Sequence, residues 1–137
     1  MKWFFWNVRG MNKRYKQKEI KLLLHQNKVN MAGLIETRVK EKNMKTVLKG
    51  IVPGWKMINN YNASPNEIIW LVWDDNWYEV KMITSSAKIL HSQVKERSKD
   101  YQFIVTVVYG LILWSREKVY GRKCRQFHKE SYSLGSL

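Results

Sequence analysis

Trp3-Phe4-Phe5-Trp6-Asn7-Val8-Arg9-Gly10, a Gly- and Pro-free stretch from Lys13 to Gln26, and Val29-Asn30-Met31-Ala32-Gly33-Leu34-Ile35-Glu36 follow one another near the start of the sequence. The first is apolar and aromatic up to a glycine, which predicts a buried strand running into a turn. In the second, Ile20, Leu23 and Leu24 share one face at helical spacing while the lysines lie elsewhere, so it predicts an amphipathic helix capped by Asn12. The third is short, apolar and bounded by polar residues, a second strand with Glu36 at its C-terminal end. A helix between two strands favours their parallel pairing. The expected class is α/β (α+β), with strands packed under helices.

Working outward, Met44, Val47, Leu48 and Ile51 recur at i, i+3, i+4 and i+7 and predict a second short helix, ended by Gly50, Pro53 and Gly54, with Lys42, Lys45 and Lys49 outside. The period then changes. Residues 55–61, 67–73, 77–84, 88–95 and 102–109 are strand-length and rich in Trp, Tyr, Ile and Val, separated by turn formers such as Asn62-Ala63-Ser64-Pro65-Asn66 and Asp74-Asp75-Asn76. This block predicts an antiparallel meander. Ile68 to Trp73 and Phe103 to Tyr109 are almost continuously apolar, as in strands covered on both faces. Tyr78, Val80 and Met82 alternate with Glu79 and Lys81, as in a strand with one wet face. Past Gly110 the chain turns polar and basic with no persistent period, so 111–137 reads as a poorly specified basic tail appended to a domain spanning 1–110.

A chain of 137 residues allows one ordinary core, and 45% hydrophobic residues with seven Trp supply the material for it. The formal charge of +14 is unevenly placed, with nets of +11 over 1–60, −1 over 61–110 and +4 over 111–137. A polyanion, nucleic acid first, is the partner such a balance suggests, although a solvated basic surface has the same composition. The single cysteine, Cys124, cannot close an intrachain disulfide and points to a reducing compartment. The apolar N-terminus is interrupted by Asn7 and Arg9, too early for a secretory signal, and the apolar stretch Phe103 to Trp114 is too short to span a bilayer. The expectation is a soluble intracellular protein, nuclear or cytoplasmic, with no membrane partner and no small-molecule cofactor.

Three short elements fall at ends of buried strands: Trp6-Asn7-Val8-Arg9-Gly10, Gly33-Leu34-Ile35-Glu36-Thr37-Arg38 and Val107-Val108-Tyr109-Gly110. With the intervening Ile68-Ile69-Trp70-Leu71-Val72-Trp73, their order and spacing resemble the endonuclease domain of plant LINE-type non-LTR retrotransposons, within the endonuclease/exonuclease/phosphatase superfamily. The match covers roughly residues 3–110. The resemblance implies part of a four-layer α/β/β/α sandwich of the DNase I-like type, truncated at the C-terminus, and metal-assisted hydrolysis of DNA phosphodiesters. It implies Mg²⁺ as the metal and Glu36 as its carboxylate ligand, carboxylate oxygen being the donor Mg²⁺ prefers. Asn7 would help fix the metal and its hydrogen-bond network with an uncharged amide. Tyr109 would donate its hydroxyl to the scissile phosphate. Arg9 and Arg38 would contact the nucleic acid, Arg38 as a forked donor. On residue type alone, Glu36 is equally a surface acid at a strand end, Asn7 a turn residue and Tyr109 the polar tip of a buried aromatic.

The family's Gly-Asp-Phe-Asn-like and Ser-Asp-His motifs do not occur in these 137 residues. None of Asp74, Asp75 and Asp100 stands in the first pattern, and His25, His91 and His128 follow Leu24, Leu90 and Phe127 rather than an acid. Catalytic residues that act as a unit lose nearly all activity when members are missing. The reading is therefore a truncated, catalytically inactive relative of a retrotransposon endonuclease, with residues after Gly110 unrelated to the family. Two alternatives stand beside it: a non-catalytic nucleic-acid-binding remnant using the basic 1–60 segment with Trp3, Trp6 and Trp55, and a chain that encodes no working protein.

Overall fold

The computed structural model describes residues 2–109, 111–118 and 127–130. Strand β1 (Trp3–Asn7) leads into helix α1 (Arg14–Gln26) and strand β2 (Met31–Ile35), and a 3-10 turn at Glu41–Asn43 precedes helix α2 (Met44–Ile51). Seven strands follow: β3 (Lys56–Asn59), β4 (Ile69–Trp73), β5 (Tyr78–Ser85), β6 (Ile89–Glu96), β7 (Tyr101–Val108), β8 (Leu111–Lys118) and β9 (Phe127–Glu130). Among the described residues, the protein is mixed α+β with two sheets and two α-helices. Among the described residues, no helix is long and apolar enough to cross a membrane.

The first sheet has the order β1-β2-β4-β3, with β1 and β2 parallel as expected and the other pairs antiparallel. One of its faces carries Trp6, Leu34, Trp70 and Val72 against Ile20 and Leu24 of α1 and Val47 and Ile51 of α2. Its other face carries Phe5, Met31, Ile35, Ile69, Leu71 and Trp73, which meet Leu90, Val94, Phe103, Val105 and Val107 of the second sheet, β5-β6-β7-β8-β9. The layers are helix, sheet and sheet. No helix covers the outer face of the second sheet among the described residues.

Five sequence expectations need correction. The meander begins at β5 rather than β3, because β4 is buried at all five positions and can be so only in the middle of the first sheet, between helices and second sheet. Strand β7 is covered on one face, not two: Phe103, Val105 and Val107 are buried while the residues between them are half-exposed. The segment after Gly110 is not without regular structure, since β8 pairs with β7 along its whole length from Val108↔Leu111 to Tyr101↔Lys118, and β9 pairs with β8. Antiparallel pairing in register with a formed strand compensates for the weak period of 111–118. Residues 119–126 and 131–137 of the expected tail, Cys124 among them, lie outside the described residues. Finally, Asn12 does not cap α1; Lys13 occupies the cap position without a side-chain bond. Met82, expected on the inner face of β5, is 45% exposed, next to a bulge between Met82 and Thr84.

A polar clasp joins the two sheets at the N-terminal end of β1. Trp3 Nε1 donates to the Tyr78 hydroxyl at 2.9 Å, and that hydroxyl donates to Asn30 Oδ1 at 2.8 Å. Burial, opposed by these hydrogen bonds, pushes the Tyr78 phenol up to about 12. A folded-state value above the unfolded one means that the contribution is complete below pH 10 and disappears as pH rises toward 12. Unfolding free energy is expected to fall by on the order of 2 kcal/mol across that window, and Tyr78→Phe should flatten this part of the profile. Urea titrations at pH 9 and pH 11.5 check both statements.

Candidate active site

Parallel pairing of β1 and β2 sets Asn7 beside Ile35, so both strands leave the sheet at the same end. Their exits then run together. Val8 N donates to Ile35 O at 2.9 Å, Gly10 N to Glu36 O at 2.7 Å and Met11 N to Thr37 O at 2.7 Å. Glu36 N and Thr37 N in turn donate to Ile68 O, at 2.9 and 3.3 Å, tying the second exit to the start of β4. These bonds hold the two strand exits together at the rim of the two-sheet core.

Two bonds from side chains are added. Asn7 Oδ1 accepts from Arg9 N at 3.1 Å, an Asx-type turn. Arg38 Nη2 donates to Glu36 Oε1 at 3.0 Å, in an ion pair exposed on the arginine side. Gly10, at φ +94°, lies under Arg38: a Cβ there would stand 3.0 Å from Arg38 Cδ, so a side chain at residue 10 would displace the guanidinium. Arg9, Glu36 and Arg38 themselves have φ of 50°, 60° and 55°, a left-handed conformation that non-glycine residues rarely hold. Three such residues at one strand-end cluster concentrate strain of order 1 kcal/mol each where the side chains converge.

Tyr109 approaches from the second sheet. It follows β7, its N donates to Lys88 O at 3.0 Å, and its half-buried ring packs on the inter-sheet core. Burial raises the pKa of its phenol, the Glu36 and Glu67 carboxylates raise it further, and Arg38 opposes them. Tyr109 is therefore a neutral hydroxyl donor at neutral pH, within electrostatic reach of Glu36 and Arg38. The structure thus brings Asn7, Arg9, Glu36 and Arg38 together through the backbone and leaves Tyr109, from the second sheet, near enough for the Glu36 and Arg38 charges to act on its phenol. Gly110, the last residue of the third sequence element, lies outside the described residues.

Two further residues serve this site without having been singled out from the sequence. Glu67 is the second carboxylate acting on Tyr109. Asn60 is fully buried: its Nδ2 is placed to donate to the carbonyls of Glu67, Ser86 and Ala87 at 2.8, 3.2 and 3.3 Å, and its Oδ1 accepts from Ile69 N at 2.7 Å. It joins the loop before β4 to the β5–β6 turn, and so connects the strand that holds Glu36 with the turn that holds Tyr109. A pair of asparagines, Asn59-Asn60, closing an otherwise apolar strand was the available signal.

As a metal site the donor set is thin. Glu36 offers one carboxylate, already paired with Arg38, and Asn7 offers an amide oxygen already accepting from Arg9 N. Among the described residues, no group of three or more His, Cys, Asp and Glu is placed to hold a metal ion. Mg²⁺ commonly keeps several waters and uses one or two carboxylates together with substrate phosphates. Glu36 and Asn7 fit that water-rich, phosphate-shared binding and do not make an all-protein cage.

Arg9 gives a test of whether strain is retained here for function. Arg9→Gly is expected to leave stability unchanged or raise it by up to about 1 kcal/mol, because relief of the left-handed conformation outweighs the added unfolded-state entropy. The same change should weaken any binding of a short DNA duplex at this cluster. Thermal unfolding and an anisotropy titration on one preparation read both.

No protein-family model matches this chain, and no curated protein matches it.

Proposed function

We propose that this chain carries the front part of a phosphodiesterase domain of the endonuclease/exonuclease/phosphatase type, a partial DNase I-like sandwich whose strand-end loops hold a DNA phosphate without turning it over. The observation that carries this reading is the meeting of Asn7, Arg9, Glu36 and Arg38 at the exits of β1 and β2 with Tyr109 within electrostatic reach of Glu36 and Arg38. Two sheets packed face to face with helices on one side are consistent with the same ancestry.

The roles follow from the donors present. Arg38, held by Glu36 over Gly10, can turn a forked guanidinium toward a phosphate, and Arg9 adds a second positive charge beside it. The Tyr109 hydroxyl supplies a neutral donor to a phosphate oxygen. Glu36 and Asn7 would hold Mg²⁺ jointly with that phosphate, and the ion's contribution when bound is to polarise the phosphoryl oxygen. Among the described residues, no side chain at this cluster is arranged as a base for an attacking water: the Glu36 carboxylate is engaged by a cation, and the His91 Nδ1 bonds Thr106 Oγ1 at 2.6 Å.

A supercoiled-plasmid nicking assay with Mg²⁺, run on the wild-type chain and on Glu36→Ala, tests the proposal. The expected result is no cleavage above the Glu36→Ala background, with binding of a short DNA duplex retained by the wild type and reduced by Arg38→Ala. Mg²⁺-dependent nicking that disappears in Glu36→Ala would make the chain an active nuclease. Binding of the duplex indifferent to Arg9, Arg38 and Tyr109 substitutions would remove the phosphate site altogether.

A further inference from the structure

The helix layer carries a concentration of positive charge that the strand-end cluster does not use. Residues 13–28 and 40–49 together hold ten Lys or Arg and two Glu, Glu19 and Glu41, a net of +8 out of the chain's +14. Helices α1 and α2 lie side by side with a trough between them, made of two hollows of about 360 and 330 Å³ that share Lys21. The first hollow is edged by Arg14, Lys18 and Lys21, with Gln17 and Thr46 as uncharged hydrogen-bonding groups. The second has an apolar floor that includes Leu24, Ile51, Pro53 and the half-buried Trp55, under a rim of Lys21 and Lys28.

One property separates this trough from an ordinary solvated face: its cations are in line. Arg14 and Lys18 stand about 6 Å apart along the helix axis and Lys21 about 4.5 Å further on, a stepping comparable to that of phosphates along a strand. The line leads directly to a hollow large enough for a flat ring, with an indole in its wall.

We propose that the α1–α2 trough binds single-stranded nucleic acid, its phosphates tracked by Arg14, Lys18 and Lys21 and one unstacked base received in the apolar hollow against Trp55. A basic groove that follows the backbone, joined to an aromatic platform, is the combination that single-strand binding requires. A duplex fits less well, because its bases are stacked and paired and none is free to enter the hollow. The proposal uses no residue of the strand-end cluster and stands independently of the phosphodiester reading. It also corrects the aromatic set expected from the sequence: Trp6 is buried under the helices and Trp3 lies in the inter-sheet core bonded to Tyr78, so of the three tryptophans only Trp55 is placed to meet a base.

The test is fluorescence anisotropy of the full chain with fluorescein-labelled oligo(dT) of twelve nucleotides, titrated at several salt concentrations. Removing two phosphate contacts with Lys18→Ala/Lys21→Ala should lower the slope of log K against log salt by about 1.4, at roughly 0.7 per contact. Trp55→Leu should reduce affinity by about tenfold with the slope unchanged. Lys81→Ala/Lys99→Ala, equally exposed on the other side of the molecule, should change neither quantity, and Arg9→Ala/Arg38→Ala should leave oligo(dT) binding largely intact. The exposed lysines put no fold at risk, so their result stands even if Trp55→Leu unfolds, which circular dichroism would reveal. A salt slope lowered equally by the control pair would overturn the trough as a distinct site. Duplex DNA bound by the Arg9→Ala/Arg38→Ala protein as tightly as oligo(dT), or oligo(dT) binding abolished only by the Arg9 and Arg38 changes, would overturn the single-strand assignment.

Discussion

Asn60→Ala is expected to lower unfolding free energy by about 3 to 5 kcal/mol, the largest of the stability effects argued for this fold. The side chain is fully buried and its amide faces the carbonyls of Glu67, Ser86 and Ala87 while accepting from Ile69 N. Alanine leaves these backbone groups where water reaches them poorly. A buried acceptor or donor left without a partner costs roughly 1 to 3 kcal/mol, and several are orphaned together. Asn60→Asp keeps the shape but a carboxylate cannot donate, so it should be nearly as damaging above neutral pH. Urea denaturation gives the measurement, and midpoints unchanged in both variants would show that the amide does not clasp the two sheets.

The same substitution reaches the candidate site. Ile69 follows Ile68, whose carbonyl receives Glu36 N and Thr37 N, and the turn containing Ser86 and Ala87 continues into Lys88, whose carbonyl receives Tyr109 N. Loss of the Asn60 amide therefore loosens both sides of the cluster at once. Any phosphate binding by Glu36, Arg38 and Tyr109 should weaken in Asn60→Ala even under conditions where the variant remains folded.

What the sequence disclosed, and what it concealed, follows from the range over which each signal acts. The β1-α1-β2 unit was legible because its apolar periods are local: Ile20 and Leu24 pack on the sheet, and all five residues of β2 are buried. The second helix was legible for the same reason. The partition of later strands between two sheets was not, since Lys56–Asn59 and Ile69–Trp73 read alike whether they pair with each other or with a meander; only the need to cover both faces of β4 decides it. Strand β8 was missed because Ser115 and Arg116 break its alternation, and its formation depends on β7 being in place. At the site, Asn7 and Glu36 could be located from their strand ends, but the left-handed backbone at Arg9, Glu36 and Arg38 and the role of Asn60 depend on residues distant in the chain.

Gly33→Ala is expected to destabilise the protein by about 2 to 3 kcal/mol, against the usual sign for such a change in an unstrained segment. Gly33 sits in β2 directly opposite Phe5 of β1, and a Cβ on residue 33 would come within 2.3 Å of Phe5 Cδ1 and 2.8 Å of Cε1. Replacing a glycine by alanine ordinarily gains about 0.4 to 1 kcal/mol by restricting the unfolded chain. Here the methyl needs space held by a ring that is 3% exposed in the core between the sheets. The ring cannot withdraw like the end of a flexible chain, so it must shift into Leu71 and its neighbours or push β1 from β2, and overpacking of this kind costs more than the entropy returns. Phe5→Leu removes the obstructing ring edge at the expense of a small cavity. The double variant Phe5→Leu/Gly33→Ala should therefore be more stable than the sum of the two single losses allows, by on the order of 1 kcal/mol. Because Asn7 and Glu36 follow these two residues in paired strands, a displaced β1 would also part the strand-end cluster. Additive losses across the three variants, or a Gly33→Ala protein as stable as the wild type, would mean that Phe5 and Gly33 do not face each other across a tight parallel pair.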